Sequence, residues 1–296
     1  MKKRAKKRIA IFFAAAAIVC AGICLGIYLG ELRYYITQYA DTTGMQAMFY
    51  TIESNRGELI VIDGGNAGNA EYVREVIRKK GGHVDAWILT HPHPDHIGAF
   101  NVLWDEMQSR IDVIYTTQID YLTYRDRAFE WDGFEGYDLF LNYMSETDKM
   151  HYLHTGDQLN ICGLDFEILH ACDDYVYEVS HDIGNDSGLM MLVTNQEESM
   201  LFCADVGVMM SDKIIGQYGS RLACDYIQMG HHGNGGLSEA FYRLTLPRAA
   251  FFDAPDWLMN PAEEGRYTTP ENRKLMESMG AEIYSYETAP NRIRLK

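Results

Sequence analysis

Three imidazoles and a carboxylate fall within six positions, at His91, His93, Asp95 and His96 of the run Thr90-His-Pro-His-Pro-Asp-His96. Nitrogen and carboxylate oxygen donors together suit a borderline divalent cation. Alternate residues on an extended turn can aim His91 and His93 at one ion, while Asp95 and His96 turn toward a second. The competing reading is a polar loop that happens to be rich in histidine. Against it, three of the chain's 10 histidines gather here with two prolines between them, a density the composition does not produce on its own.

Donors so close in sequence converge only if a rigid element presents them. Ala86-Trp-Ile-Leu89 is a short apolar run that reads as a buried strand ending at the donor loop. Upstream, residues 47–52 and 58–62 are β-rich runs separated by a polar turn from Glu53 to Gly57, a hairpin signature. Ala70 to Lys80 then carries Tyr72, Val73, Val76 and Ile77 at helical spacing and stops at Gly81-Gly82. Further strands are expected at 113–116, 158–162, 164–169, 189–194, 200–203 and 226–229. Helices are expected at 98–109, 136–147, 207–218, 238–245 and 270–279. The pattern predicts an α/β fold of two sheets covered by helices, in one domain of about 260 residues.

His-x-His-x-Asp-His after a strand resembles the second motif of the metallo-β-lactamase superfamily, which His91, His93, Asp95 and His96 match residue by residue. The resemblance implies a four-layer αββα sandwich and two divalent metals. Asp205, between Met200-Leu-Phe-Cys203 and Gly207, is similar to the fourth-motif carboxylate, which bridges the metals and offsets their repulsion at roughly 3.5 to 4 Å. Taken alone, an Asp in that place also reads as a helix N-cap for 207–218. His231-His232-Gly233 resembles the fifth motif, with His231 the expected metal ligand and His232 a support, proton carrier or bystander. Asp63 matches the first-motif aspartate, which hydrogen-bonds the ligand loop from behind, although Asp63-Gly64-Gly65 by itself is only a turn.

The superfamily's third motif brings another histidine to the first metal. Here the segment His181-Asp-Ile-Gly-Asn185-Asp-Ser-Gly188 puts Asn185 in that place. A neutral amide is a weak donor, so the first metal is expected to be held loosely, by His91, His93 and Asp205 with solvent, unless His181 substitutes. Oxygen in place of nitrogen also hardens the site and leaves manganese open beside zinc. The Asn-x-Ser pattern, the His-His-Gly run and Asn234-Gly-Gly-Leu-Ser238 look most like the hydrolase domain of ComEC-type competence proteins and their free-standing relatives, over about residues 45–286.

The chemistry this resemblance implies is metal-dependent hydrolysis, with Asp95 able to orient the nucleophile and His232 the second catalytic candidate. A phosphodiester or related ester is the expected target, in a small molecule or a surface polymer. Tyr121, Tyr124, Phe129, Trp131, Phe134, Tyr137, Phe140 and Tyr143 follow the second motif and read first as core. Any that face the metals would favour a quaternary ammonium group, as in phosphocholine. The alternatives are a ComEC-like nuclease and a metal-binding scaffold without turnover, to which the missing third-motif imidazole points.

Charge narrows the partners. With 26 basic and 42 acidic residues the formal charge is -16, which repels a nucleic-acid backbone over most of the surface. Six of those basic residues lie in the first eight positions, ahead of Ile9 to Leu29, an uncharged, proline-free run about 31 Å long as a helix. Residues 1–30 read as a cytoplasmic basic stub and an uncleaved signal anchor spanning the membrane, with a cleaved signal peptide the rival. The domain at 31–296 is then extracytoplasmic. Cys162, Cys172, Cys203 and Cys224 sit singly, without a CxxC pair, so buried thiols and a disulfide both stay open.

Overall fold

In the computed structural model, which describes residues 30–296, the first sheet takes β1 (Tyr34–Gln38), β2 (Phe49–Ser54), β3 (Leu59–Asp63), β4 (Val84–Leu89), β5 (Ile111–Thr117) and β6 (Met150–Leu153). The second takes β7 (Gln158–Ile161), β8 (Leu164–His170), β9 (Met190–Asn195), β10 (Glu198–Phe202), β11 (Tyr226–Gln228), β12 (Ala249–Phe251) and β13 (Glu282–Tyr284). The closing strand β14 (Asn291–Leu295) returns to the edge of the first sheet. The orders are β14-β1-β2-β3-β4-β5-β6 and β13-β12-β11-β10-β9-β8-β7. Each sheet is half antiparallel and half parallel, the parallel halves running from β3 to β6 and from β10 to β13.

Residue chemistry sets these choices. Leu-Ile-Val-Ile-Asp in β3 is buried throughout, as a strand covered on both faces requires. At the edge, β14 alternates Asn291, Ile293 and Leu295 inward with Arg292 and Arg294 outward. The hairpin of β2 and β3 pairs Ile52 with Ile60, as the polar turn predicts.

Ten α-helices are described: α1 (Ala70–Lys79), α2 (Pro94–Met107), α3 (Tyr121–Arg127), α4 (Phe134–Ser145), α5 (Asp174–Val179), α6 (Ile183–Asp186), α7 (Ser211–Tyr218), α8 (Glu239–Thr245), α9 (Asp256–Met259) and α10 (Thr269–Ser278). On the first sheet, Trp87, Leu89 and Ile114 pack with Phe100, Leu103 and Phe140 from the helices. On the second, Leu201, Cys203 and Ile227 pack with Ile214, Phe241 and Met276. Between the sheets, Tyr50 stands edge-on to Phe202 and Phe251, with centroids 5.3 and 6.4 Å apart. The layers are helix, sheet, sheet, helix.

Two expected helices start four residues from the expected position, and both bear on the site. The helix expected at 98–109 begins at Pro94, with His93 extended at its N-cap (φ -65°, ψ 150°). Proline at the first helical position lacks only an N–H that would be unpaired anyway. Asp95 and His96 therefore ride on the first helical turn. The helix expected at 207–218 begins at Ser211, so Asp205 does not cap it. Strands β1, β6, β12 and β14 were not legible, β12 because it is three residues long and alanine-rich. The expected membrane span at 9–29 lies outside the described residues. Among the described residues no helix is long and apolar enough to cross a membrane, and Cys162, Cys172, Cys203 and Cys224 are all free.

Candidate metal centre

Both sheets turn the carboxyl ends of their parallel strands to one place, where α/β folds present their chemistry. Asp63 ends β3, and Thr90 to His96 follow β4. Asp205 lies just beyond β10, and His231 and His232 just beyond β11. The turns are tight. Asp63, Ala204, His231 and His232 all adopt left-handed backbone, with φ of 52, 48, 50 and 57°. Such conformations cost about 1–3 kcal/mol each for residues other than glycine, and they persist where the surrounding structure over-determines them.

The turns bring Asp95, His96, Asp205 and His232 together, with one donor atom from each inside a 4.8 Å set. His232 Nε2 is 3.1 Å from Asp205 Oδ2 and 3.2 Å from Asp95 Oδ2. His96 Nε2 is 3.3 Å from Asp205 Oδ2, and His91 Nε2 reaches the same oxygen at 4.0 Å. These approaches are close but not aligned as hydrogen bonds. Nε2 of His91, His96 and His232 and Oδ1 of Asp205 and Asn185 are all buried and have no hydrogen-bond partner among the described residues. Leaving five polar atoms so placed is expensive unless a cation meets them. The donor set fits divalent metal.

Each imidazole is held by its other nitrogen. His96 Nδ1 lies 2.7 Å from Asp63 Oδ2, and His232 Nδ1 lies 3.0 Å from the Asp253 carbonyl. His91 Nδ1 lies 3.2 Å from Thr90 Oγ1. Asp63 also accepts from Thr90 N and Thr90 Oγ1, both at 2.7 Å, so it holds the donor loop from behind. These bonds select the nitrogen left bare.

The electrostatics follow. Burial, helped by His96, pushes His91 well below the ordinary imidazole value. Burial also works against charge on His96 and His232, but Asp205 and Asp63 raise His96, and Asp205 and Asp95 lift His232 to about 10. Conversely, burial works to raise Asp205 and Asp95, yet His232 and His96 hold both well below the usual carboxylate range. Protons on two imidazoles balance the carboxylates here, a task a cation performs equally well.

The sequence had assigned ligation to His231 and a supporting place to His232. His232 is the imidazole that reaches Asp95 and Asp205, while His231 lines the open cleft. Two successive left-handed residues turn the second side chain inward, which spacing alone does not disclose. His181 is exposed and belongs to none of the donor clusters. Asn185 is buried at the cleft with Oδ1 unpartnered, its Nδ2 donating to Asp182 Oδ2 at 2.9 Å. The aromatic run divides: Tyr124, Tyr137 and Phe140 are core, whereas Trp131 is 65% exposed and lines the cleft. Three groups went unnoticed in the sequence: Asp132, 2.7 Å from His93 Nε2; Asp182, near the same pair; and Gln46, which donates to Asp95 Oδ2 at 3.2 Å. Asp132 and Gln46 sit in no motif, Asp182 lies in the third-motif segment without being one of its expected donors, and only tertiary contact reveals all three.

Over these donors lies a cleft of about 530 Å³ lined by Met45, Gln46, Asn66, Trp131, Asp182 and His231 as well as the metal-site residues. Among the described residues no lysine or arginine lines it.

Residues 42–116 match the family described as the metallo-beta-lactamase superfamily. No curated protein matches the sequence. Among solved structures, the metallo-beta-lactamase fold protein YhfI from Bacillus subtilis is similar with a TM-score of 0.54 and 12% identity, over 88% of this chain and 99% of that one. CmlA, a diiron beta-hydroxylase from Streptomyces venezuelae, gives 0.54 and 14%, over 90% of this chain and 54% of that one. Igni18, a metallo hydrolase from Ignicoccus hospitalis, gives 0.50 and 11%, over 90% and 99%. At these identities the structural likenesses establish the fold alone.

Proposed function

We propose that the chain, whose residues 42–116 match the metallo-beta-lactamase superfamily and whose fold gathers one buried donor set, is a metal-dependent hydrolase of a phosphodiester or related ester. The observation that carries the reading is the convergence of unpartnered Nε2 atoms of His91, His96 and His232 on Asp205. Asp205 would serve both metals; Asp95, His96 and His232 would complete one position, and His91, His93 and Asn185 the other. Zinc suits the nitrogen-rich position, and manganese is open where Asn185 replaces an imidazole. When bound, the cations would polarise the substrate and acidify a water.

The chain's own groups do the rest. Asp63 and the Asp253 carbonyl fix His96 and His232, and Gln46 holds one oxygen of Asp95. The amides of Gln46 and Asn66 offer neutral hydrogen bonds to the substrate, while Met45 and Trp131 offer apolar surface. With no lysine or arginine among the described residues that line the cleft, substrate anionic charge has to be met at the metals. That favours a single phosphodiester or ester with an apolar or cationic remainder, such as a phosphocholine ester, over a polyanion. We place the protein in the cell membrane through residues 9–29, with the catalytic domain extracytoplasmic and facing small-molecule or surface-polymer esters.

Metal analysis of the purified full chain, paired with a panel of phosphodiesters, lactams and thioesters, tests this. Two equivalents and phosphodiester turnover that a chelator abolishes are expected. Opening of lactams or thioesters with every phosphodiester untouched would defeat the substrate reading. Asn185 favours one second reading, a metal-binding scaffold without turnover. Under it, Asp95→Ala would only loosen metal, whereas under the enzyme reading it abolishes hydrolysis.

A further inference from the structure

We infer that Asp132 is a positioning residue for the metal site, the carboxylate that fixes the ring of His93 and leaves Nδ1 as its metal-facing nitrogen. The inference rests on the metal-site reading above and adds a residue that no motif contains.

His93 Nε2 lies 2.7 Å from Asp132 Oδ1, and both residues are buried, with 5% and 1% of their surface exposed. The other oxygen, Oδ2, accepts from Phe129 N at 2.7 Å, so the carboxylate is fixed at both ends. A contact of that length between a ring nitrogen and a carboxylate oxygen needs a proton between them, and a protonated nitrogen cannot ligate a metal. The ligating nitrogen of His93 is then Nδ1, which makes no hydrogen bond among the described residues. His96 and His232 show the same division with the nitrogens reversed: Nδ1 is held and Nε2 is bare.

Two glycines allow the approach. Gly133 follows Asp132 at φ 58°, and a Cβ on it would stand 2.4 Å from Pro94 Cγ. A Cβ on Gly184 would stand 2.2 Å from His93 Nε2 and 2.9 Å from the Tyr124 hydroxyl. The excursion between β5 and β6 is thereby pressed onto the donor loop from one side and α6 from the other. The same short turn, Glu130–Asp132, carries Trp131 into the cleft wall, so one segment supports the metal site and shapes the substrate's surroundings.

Cobalt(II) is titrated into the metal-free full chain against a competing chelator, for wild type, Asp132→Ala, Asp132→Asn and Glu130→Gln, with circular dichroism confirming the fold. Loss of such a carboxylate typically weakens metal binding about 10–100-fold. The expected result is that loss for one of two equivalents in Asp132→Ala. Asp132→Asn recovers part of it, because the amide oxygen still accepts from Nε2–H, and Glu130→Gln, which removes an exposed charge from the same turn, matches wild type. Equal cobalt affinity in wild type and Asp132→Ala, with only a lower Tm, would make Asp132 merely structural and overturn the inference. So would a cobalt spectrum in which Asp132→Asn loses an oxygen ligand and binds no better than Asp132→Ala, since Asp132 would then be a ligand. If wild type binds no cobalt, the proposed function fails first and this inference with it.

Discussion

At the scale of single residues, Asp63 is the group on which most depends. It accepts from Thr90 N, Thr90 Oγ1 and His96 Nδ1 while fully buried. Asp63→Ala strands all three and should cost about 3–5 kcal/mol, read by denaturant unfolding of the metal-free protein. His231 and His232 should separate cleanly: His232→Ala loses one metal equivalent and hydrolysis, whereas His231→Ala keeps both equivalents, as measured by elemental analysis. The pH dependence has a definite sign. His232 is raised from 6.5 to about 10, so its pairing with Asp205 stabilises the metal-free fold fully below pH 6.5 and fades as pH rises toward 10. Asp205 and Asp95 are lowered, so their contribution is present above 3.8 and is lost at more acid pH. Above about pH 7, where the lowered His91 carries little charge in either state, unfolding at pH 7, 8 and 9 should show falling stability without metal. Metal uptake displaces the imidazole protons, so calorimetry in buffers of different ionisation enthalpy should show proton release, and affinity should weaken as pH falls.

At the scale of elements, the site is a property of strand ends and one helix start. The strand Val84–Leu89 and the hairpin before it were readable because β-branched and apolar runs bounded by turns have few other uses. The helix expected at 98–109 starts four residues earlier because Pro94 fits the first helical position. Gly133 makes the corresponding prediction. Gly133→Ala imposes a left-handed backbone and a clash with Pro94, and should destabilise the fold by about 1–3 kcal/mol, seen as a lower Tm. If the melt is unchanged, the excursion between β5 and β6 does not press on the donor loop.

At the scale of the whole molecule, charge and metal act together. Beyond residue 30 the chain has 20 basic residues against 42 acidic ones. Hydrolysis of a polyanionic substrate should therefore quicken as salt rises from about 50 to 200 mM and screens the repulsion, while that of a small zwitterionic ester stays flat. A polyanion rate that falls with salt would instead disclose a basic track outside the cleft. Ions bridging residues from both sheets should also tie the halves together. Saturating metal at about 1,000 times Kd is worth roughly 4 kcal/mol of stability, visible as a Tm that drops on chelation.

The donor types, their loop and the two-sheet α/β plan were written in the sequence, because metal-ligand chemistry and hydrophobic period are local and leave local traces. Asp63, His91, His93, Asp95, His96 and Asp205 all stood in readable motifs. Which histidine of His231-His232 turns inward, where α2 begins, and that Asp132 meets His93 across 39 positions were decided by the tertiary structure. Those outcomes depend on left-handed turns and on which segments are forced together when the sheets close, and neither is fixed by the few residues on either side.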